Sequence, residues 1–403
     1  MQKKILPTLF VTLLIDMIGI GMIIPIIPII FTDPTSSSFL LQGFTVGQQY
    51  LFAGLLTALF GLMQFIAAPI LGELSDVYGR KRLLTLGVGV LALSQLLFGF
   101  GIEIGSLWLI FISRAVAGLA GANFSIAQAS IADVTEPKDR AKNFGLIGAA
   151  FGMGFIIGPV LGGWVAHLAN NAAAPFWLAA LFGLVNLVSI SLFLPETNKN
   201  KRASHRFHFL KGIHNIVAAW HDKDARPVYV GSFLYTSGFS FYTSFIGILL
   251  VSRFGLTETA IGTFFGAVGI WIVITQAFIL RFLTKRYNER SILRYSLLLL
   301  ALVIVLYPFV PSVFLLYVLI PFFAIPNGLT MANMSALVSK SVSGDKQGAA
   351  LGINGSLMAL SQGIIPLLAG TLSGVVSINA PFFTGAIFVF GAWSALFFFS
   401  KRG

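Results

Sequence analysis

The chain has 403 residues, 57% of them hydrophobic and 10% charged, with a mean hydropathy of +0.89. Such a composition cannot cover a fold of this size with polar surface, so lipid is the solvent it implies. The absence of cysteine excludes disulfides and thiol chemistry, and the formal net charge of +12 suggests nucleic acid only until its placement is read.

The first apolar run, Ile5 to Phe31, carries Asp16 near its middle. A charged side chain at the centre of a spanning helix costs about 2.5–3.5 kcal/mol even on lenient scales. A buried cation, a bound proton or a cationic ligand is needed to offset that cost. The run is too long for a cleavable signal peptide and lacks a small-residue cleavage site. Further runs follow, centred near Phe60, Ala92, Gly118, Phe155, Leu184, Phe239, Ile270, Ala301, Ile325, Leu360 and Phe390. A bilayer core of about 30 Å needs about 20 apolar residues per helix, and the runs are continuous and not alternating, which favours helices over barrel strands. The expectation is an all-α membrane protein with twelve spans. One other ionisable residue lies comparably deep: Arg114, in the fourth run.

Of the 26 Lys and Arg, all but Arg114 and Arg253 fall at the termini or in the even-numbered connections. The positive-inside rule then places both termini in the cytoplasm and makes nucleic acid an unsuitable partner. The polar stretch Pro195 to Arg226 divides the spans six and six, giving bundles at 1–196 and 227–403 joined by a linker at 197–226. Within it Phe207, Leu210, Ile213, Val217 and Trp220 recur at helical spacing, as in a helix lying on the inner leaflet or in a solvated linker helix. The halves echo each other. Ala122-Asn123 with Ser125 returns as Ala332-Asn333 with Ser335, and Gly145, Pro159 and Gly163 return as Gly352, Pro366 and Gly370 at a constant offset. Parallel repeats of this kind place a binding site near the midplane and let the halves rock around it. With no metal-ligand cluster, nucleophile pair or phosphate loop, an enzyme is not expected, nor is a cofactor.

Four motifs stand in register on this plan. They are Asp16-x-x-Gly19-x-Gly21-x-x-x-Pro25-x-x-Pro28, then Gly72-x-x-x-Asp76-x-x-Gly79-Arg80-Lys81, then Arg114-x-x-x-Gly118-x-x-Gly121, and last Gly145-x8-Gly154-x3-Gly158-Pro159-x2-Gly162-Gly163. Together they resemble the major facilitator superfamily, in its tetracycline-resistance and multidrug proton-antiporter branch. The resemblance implies two pseudo-symmetric six-helix bundles and alternating access. It implies that helix 5, with Gly154, Gly158, Pro159 and Gly162, lines the interface between the halves and hinders leakage. It further implies that Gly72, Asp76, Gly79 and Arg80 form a gating network at the cytoplasmic ends, with Asp133 as the acid for Arg80. Val77 stands where the family has a basic residue, which weakens the network or shifts it toward Arg140.

Asp16 and Arg114 are the expected proton-coupling pair. Counting from the helix ends puts both near mid-membrane, where contact, direct or through water, is feasible. Desolvation and a nearby guanidinium act in opposite senses on the acid's protonation, so opening of the site or arrival of a cation can change it. A static buried ion pair is the alternative. In the family helices 1, 4, 7 and 10 face the cavity, which brings Asp16, Asn123, Tyr235, Phe239 and Asn327 forward as substrate-binding residues, with Trp271 and Asn354 beside them. An aromatic cavity with a lone acid suits small lipophilic or amphipathic molecules of at most one positive charge. Helices 3 and 9 offer Ser94, Gln95, Ser296 and Tyr307 where tetracycline carriers typically hold acids, which argues against tetracycline.

The expectation is therefore a monomeric multidrug exporter in a bacterial inner membrane, driven by the proton gradient and meeting substrate, protons and bilayer. Export of an endogenous metabolite or siderophore, or lipid flipping, uses the same fold. A non-transporting receptor or scaffold is the reading from another class.

Overall fold

The structure is a computed structural model that describes residues 2–135, 140–198, 211–222, 225–343 and 347–398. Among these, twelve helices are long and apolar enough to cross a bilayer. In chain order, helices 1 to 6 are Ile5–Thr32, Val46–Tyr78, Arg80–Glu103, Leu107–Val134, Gly148–Ala169 and Ala174–Phe193. Helices 7 to 12 are Arg226–Phe254, Glu258–Leu283, Glu289–Phe309, Val313–Lys340, Ala349–Val375 and Ala380–Phe398. Every expected run falls inside one of them, and no strand occurs among the described residues. Local chemistry sets several ends. Ser106, Asn288 and Ser312 each accept a backbone N–H three residues on, as N-caps do. Gly255 closes helix 7 at φ 61°, a left-handed conformation suited to glycine.

The chain folds into two compact units whose borders run through helices 2 and 8 as well as the linker. The first comprises Met1–Gln42, Leu62–Lys211 and Leu256–Gly266. In it helix 1 packs along helices 5 and 6, and helix 3 along helices 4 and 6. Ile5, Leu9, Leu13, Leu84, Val88, Ile126, Ile131 and Ile190 form its main buried cluster. Lipid tails are as apolar as leucine, so burial does not drive these contacts; close packing and hydrogen bonds do. Thr12 accordingly donates to Asn186 at 3.0 Å, and the rings of Phe98 and Phe176 stack at 4.2 Å.

Small residues carry the closest approach. Gly154, Gly158 and Gly162 share one face of helix 5, directed at Met17 to Met22 of helix 1. A Cβ on Gly158 would lie 2.7 Å from the Cα of Gly21, so the two backbones touch with nothing between them. Gly163 faces the other way, toward Glu258 and Thr259 at the start of helix 8. Two spans of this unit are interrupted. Helix 1 is broken between the segments Gln2–Met22, which begins ahead of the span, and Ile26–Thr32, at the point where Pro25 lacks an N–H. Helix 4 consists of Leu107–Ala120 and Asn123–Val134.

The second unit comprises Gly43–Gly61, Gly212–Gly255 and Ala267–Gly403. Helix 7 packs on helices 11 and 12, and helix 9 on helices 10 and 12. The first half of helix 2 lies against helix 11 through another glycine seam: a Cβ on Gly54 would stand 3.0 Å from the Cα of Gly370, and one on Gly47 3.1 Å from the carbonyl of Gly374. Phe323 anchors an aromatic column, stacking on Tyr242 at 4.1 Å and on Phe239 at 6.4 Å. Helix 8 carries a π-turn at Thr275–Ile279. The linker helix Lys211–His221 exposes Ile213, Val217 and Trp220, while Asn215 donates to Ser356 at 2.9 Å. Phe207 and Leu210 lie outside the described residues.

Candidate functional site

Asp16 is buried in the first unit, and its carboxylate accepts a hydrogen bond from Asn123 Nδ2 at 2.9 Å. Asn123 opens the second segment of helix 4, immediately after the break at Gly121 and Ala122. Gln64 of helix 2 donates to the Gly121 carbonyl at 3.1 Å, and Gln95 of helix 3 donates to the Gly19 carbonyl at 3.4 Å. Helix 3 makes room through Gly87, where a Cβ would overlap Asn123 Oδ1. The hydrogen-bond partner of the acid among the described residues is thus a neutral amide. One hydrogen bond to a charged group is worth about 1.5–3 kcal/mol, less than the several kcal/mol that a buried ion costs. The deficit is left for a proton or a cation to cover.

Arg114 is buried on the first segment of helix 4, nine residues before Asn123. At the α-helical rise it stands roughly 13 Å along the axis from the residue that touches Asp16. Among the described residues no ion pair joins the two. The sequence leaves contact between Asp16 and Arg114 open; the hydrogen bond shown at Asp16 comes from Asn123.

A second cluster lies where helix 2 turns into helix 3. Arg80 forms an ion pair with Asp76 and donates from Nε to Asp133 Oδ2 at 3.2 Å, with Ser75 Oγ accepting from Nη1. Gly79 adopts φ 106°, a conformation strained for any side chain, and so starts helix 3 with Arg80 turned back on its own loop. Gly72 has open space around it, and its carbonyl accepts from Ser75 at 2.6 Å. The side chain of Arg140 lies outside the described residues. Three residues that the sequence reading did not single out complete the cluster. Glu196 accepts the Arg80 N–H at 2.9 Å, Asn198 donates to the Asp76 carbonyl at 2.9 Å, and Thr197 donates to Asp133 at 3.4 Å. Their signal was an acid directly after Pro195, at the end of an apolar span.

In the second unit Tyr235 donates to Asn327 at 2.8 Å, and Ser232 donates to Asn354 at 2.6 Å. Phe239 stacks beside Tyr235 with ring centroids 6.4 Å apart. These four residues proposed from sequence therefore stand on one polar and aromatic seam of helices 7, 10 and 11. Trp271 is half-buried on helix 8, and its carbonyl accepts Thr275 Oγ1 at 2.7 Å where the π-turn begins.

Comparison with known proteins agrees with this architecture. The family model of the Major Facilitator Superfamily matches residues 9–223 and 228–403. The class H tetracycline resistance protein of Pasteurella multocida is 30% identical over 401 residues, covering 97% of this chain and 94% of the relative. Multidrug resistance protein 1 of Bacillus subtilis (strain 168) is 30% identical over 391 residues, covering 96% and 94%. Among solved structures, the human organic anion transporter MFSD10 (TETRAN) superposes with a TM-score of 0.74 at 23% identity, covering 98% of this chain and 99% of that one. A bacterial homologue of the lysosomal transporter Spinster gives 0.76 at 13% identity, covering 99% and 96%; at these identities the likeness concerns the fold. On the family model and the full-length relatives, the chain belongs to the major facilitator superfamily and is a multi-pass membrane transporter akin to the tetracycline and multidrug resistance proteins.

Proposed function

We propose that the protein is a proton-coupled exporter of small lipophilic or amphipathic compounds, working by alternating access in the cytoplasmic membrane of a bacterium, with both termini cytoplasmic. The observation that carries this reading is a spanning-helix carboxylate, Asp16, whose hydrogen-bond partner is a neutral amide. A group so placed exchanges a proton for a cationic or dipolar substrate as access changes sides. An inward potential adds about 2.3 kcal/mol per charge per 100 mV to that exchange. The names of the relatives, tetracycline and multidrug resistance proteins, support efflux.

Within this scheme Asp16 carries the proton, with Arg114 the second ionisable group of the same unit's interior. Asp16, Asn123, Tyr235, Phe239, Asn327, Asn354 and Trp271 are the proposed substrate contacts. The sequence halves at 1–196 and 227–403 are the bodies that alternate, and the Asp76, Arg80 and Asp133 cluster is the cytoplasmic gating element. Gln95 is spent on the Gly19 carbonyl and Ser296 accepts from Thr330 at 2.8 Å, so helices 3 and 9 bring neutral groups where tetracycline carriers typically hold acids.

The test is substrate-driven proton movement in liposomes with an imposed pH gradient, read by an internal pH dye, for wild type and Asp16→Asn. Flux that a panel of lipophilic cations elicits in wild type and that the variant loses supports the proposal. Equal substrate movement without proton flux in both proteins makes the carrier a facilitator and sinks the coupling role. Movement of labelled phospholipid in place of drugs would reassign the cargo.

A further inference from the structure

Asn123 has two polar heads, and the transport scheme uses one. Nδ2–H serves the Asp16 carboxylate, while Oδ1 is buried without a hydrogen-bond partner and rests against the bare Cα of Gly87. Leaving a buried acceptor unpaired costs about 1–3 kcal/mol, so a site built only to hold an ionised Asp16 would gain from a group with no idle oxygen.

We infer that Asn123 reads the protonation state of Asp16 by turning its carboxamide over when the proton arrives. The inference rests on the reading of Asp16 as the coupling acid. An ionised carboxylate only accepts hydrogen bonds, whereas a protonated one must also donate. With the carboxylate ionised, the amide presents its NH2 group, as the structure shows. When a proton from the aqueous phase forms an O–H bond on Asp16 Oδ2 on the side that faces the amide, two donors meet there and the N–H···O contact is lost. A half-turn of the carboxamide brings Oδ1 to the new O–H and restores a hydrogen bond. One O–H bond is made and no other covalent bond changes.

The surroundings suit that motion. Helix 3 offers a glycine where any side chain would collide with the carboxamide, and its nearby Gln95 is occupied by the Gly19 carbonyl. Helix 5 offers Gly154 and Gly158 to helix 1, and helix 6 offers Asn186, which is bonded to Thr12. On helix 4, Arg114 lies nine residues before Asn123 and Asp133 ten residues after it. Among the described residues, Asn123 is the side chain hydrogen-bonded to the carboxylate. It also sits where helix 4 is interrupted, so a change at its amide meets a backbone already released from regular hydrogen bonding. Asn123 is thereby a positioning residue for the transported proton.

Infrared difference spectroscopy of the purified protein in liposomes, between neutral and acidic buffer, tests the inference. The expected result is a carboxyl band that Asp16→Asn removes, accompanied by a side-chain amide band that both Asn123→Leu and Asp16→Asn remove. A carboxyl band from Asp16 with no accompanying amide change overturns the switch and leaves the proton site standing. Absence of any Asp16 carboxyl band overturns the coupling reading and the switch with it. Gly87→Ala, whose Cβ fills the space in which the carboxamide turns while leaving both polar groups in place, is the second variant. It should suppress the amide band and slow substrate-driven proton flux about tenfold, the scale of a lost hydrogen bond to a charged group. A wild-type amide band in folded Gly87→Ala also overturns the inference.

Discussion

The side-chain amide of Gln64 donates to the main-chain carbonyl of Gly121, joining helix 2 to the break in helix 4 at 3.1 Å. A helix interrupted at membrane depth exposes carbonyls that lipid cannot satisfy. Gln64 meets that need at the very turn that presents Asn123 to Asp16. The break is thus a supported feature of the site.

Gln64→Leu removes that support at nearly constant volume. The stranded carbonyl should destabilise the protein by about 1–3 kcal/mol, seen as a lower thermal midpoint in detergent, and substrate-driven proton flux should fall with it. An unchanged midpoint would mean that water or another group takes over the carbonyl.

Asp16→Asn should leave the fold intact, since an amide suits the apolar setting better than an ion does. Ligand binding to the purified protein should persist for neutral compounds and weaken for cations, while proton flux is lost. Equal weakening for both classes would deny Asp16 its electrostatic part in substrate choice.

Arg80→Lys keeps the charge and loses the planar fork that reaches Asp76, Asp133 and Ser75 together. Transport should fall nearly as far in Arg80→Lys as in Arg80→Ala. A double-mutant cycle of Arg80 with Asp133, read by thermal unfolding, should give a coupling energy of about 1 kcal/mol. Additive effects would show the pair to be incidental.

Gly158→Ala must push its Cβ into the backbone of helix 1 beside Gly21. Overpacking of this kind costs about 1–3 kcal/mol, and Gly158→Val should cost more, lowering the yield of folded protein. The matched change at Gly148, where a Cβ meets nothing, should leave yield and midpoint unchanged.

Tyr235→Phe strips the donor from Asn327 and leaves the aromatic stack with Phe239 in place. Hydrogen bonds between membrane helices average about 0.6 kcal/mol, so stability should barely move. A changed substrate profile, measured as relative efflux of several dyes, is the expected outcome; an identical profile would remove the seam from the substrate path.

The spans were legible because each is a continuous apolar run of bilayer length, and the pairing of Arg80 with Asp133 because acid and base end adjacent helices. Contacts set by three-dimensional depth were less so. In the sequence Arg114 is the natural complement to Asp16, yet the chain gives no warning that helix 4 breaks at Gly121 and Ala122 and brings Asn123 level with the acid. Gly118 and Gly121 look like ordinary small packing residues until Gln64 is seen on the freed carbonyl. The π-turn at Thr275–Ile279 was equally hidden, since one extra residue in a helical turn leaves hydropathy unchanged.

Glu196 and Asn198 are bonded to the turn between helices 2 and 3 and Thr197 to Asp133 at the end of helix 4, so the polar residues that follow Pro195 belong structurally to the Arg80 cluster. Dissection of the transporter into two separately expressed fragments should respect this. A cut at Pro195 would strip the cluster of these three partners, whereas a cut after Asn198 keeps all three bonds within the first fragment.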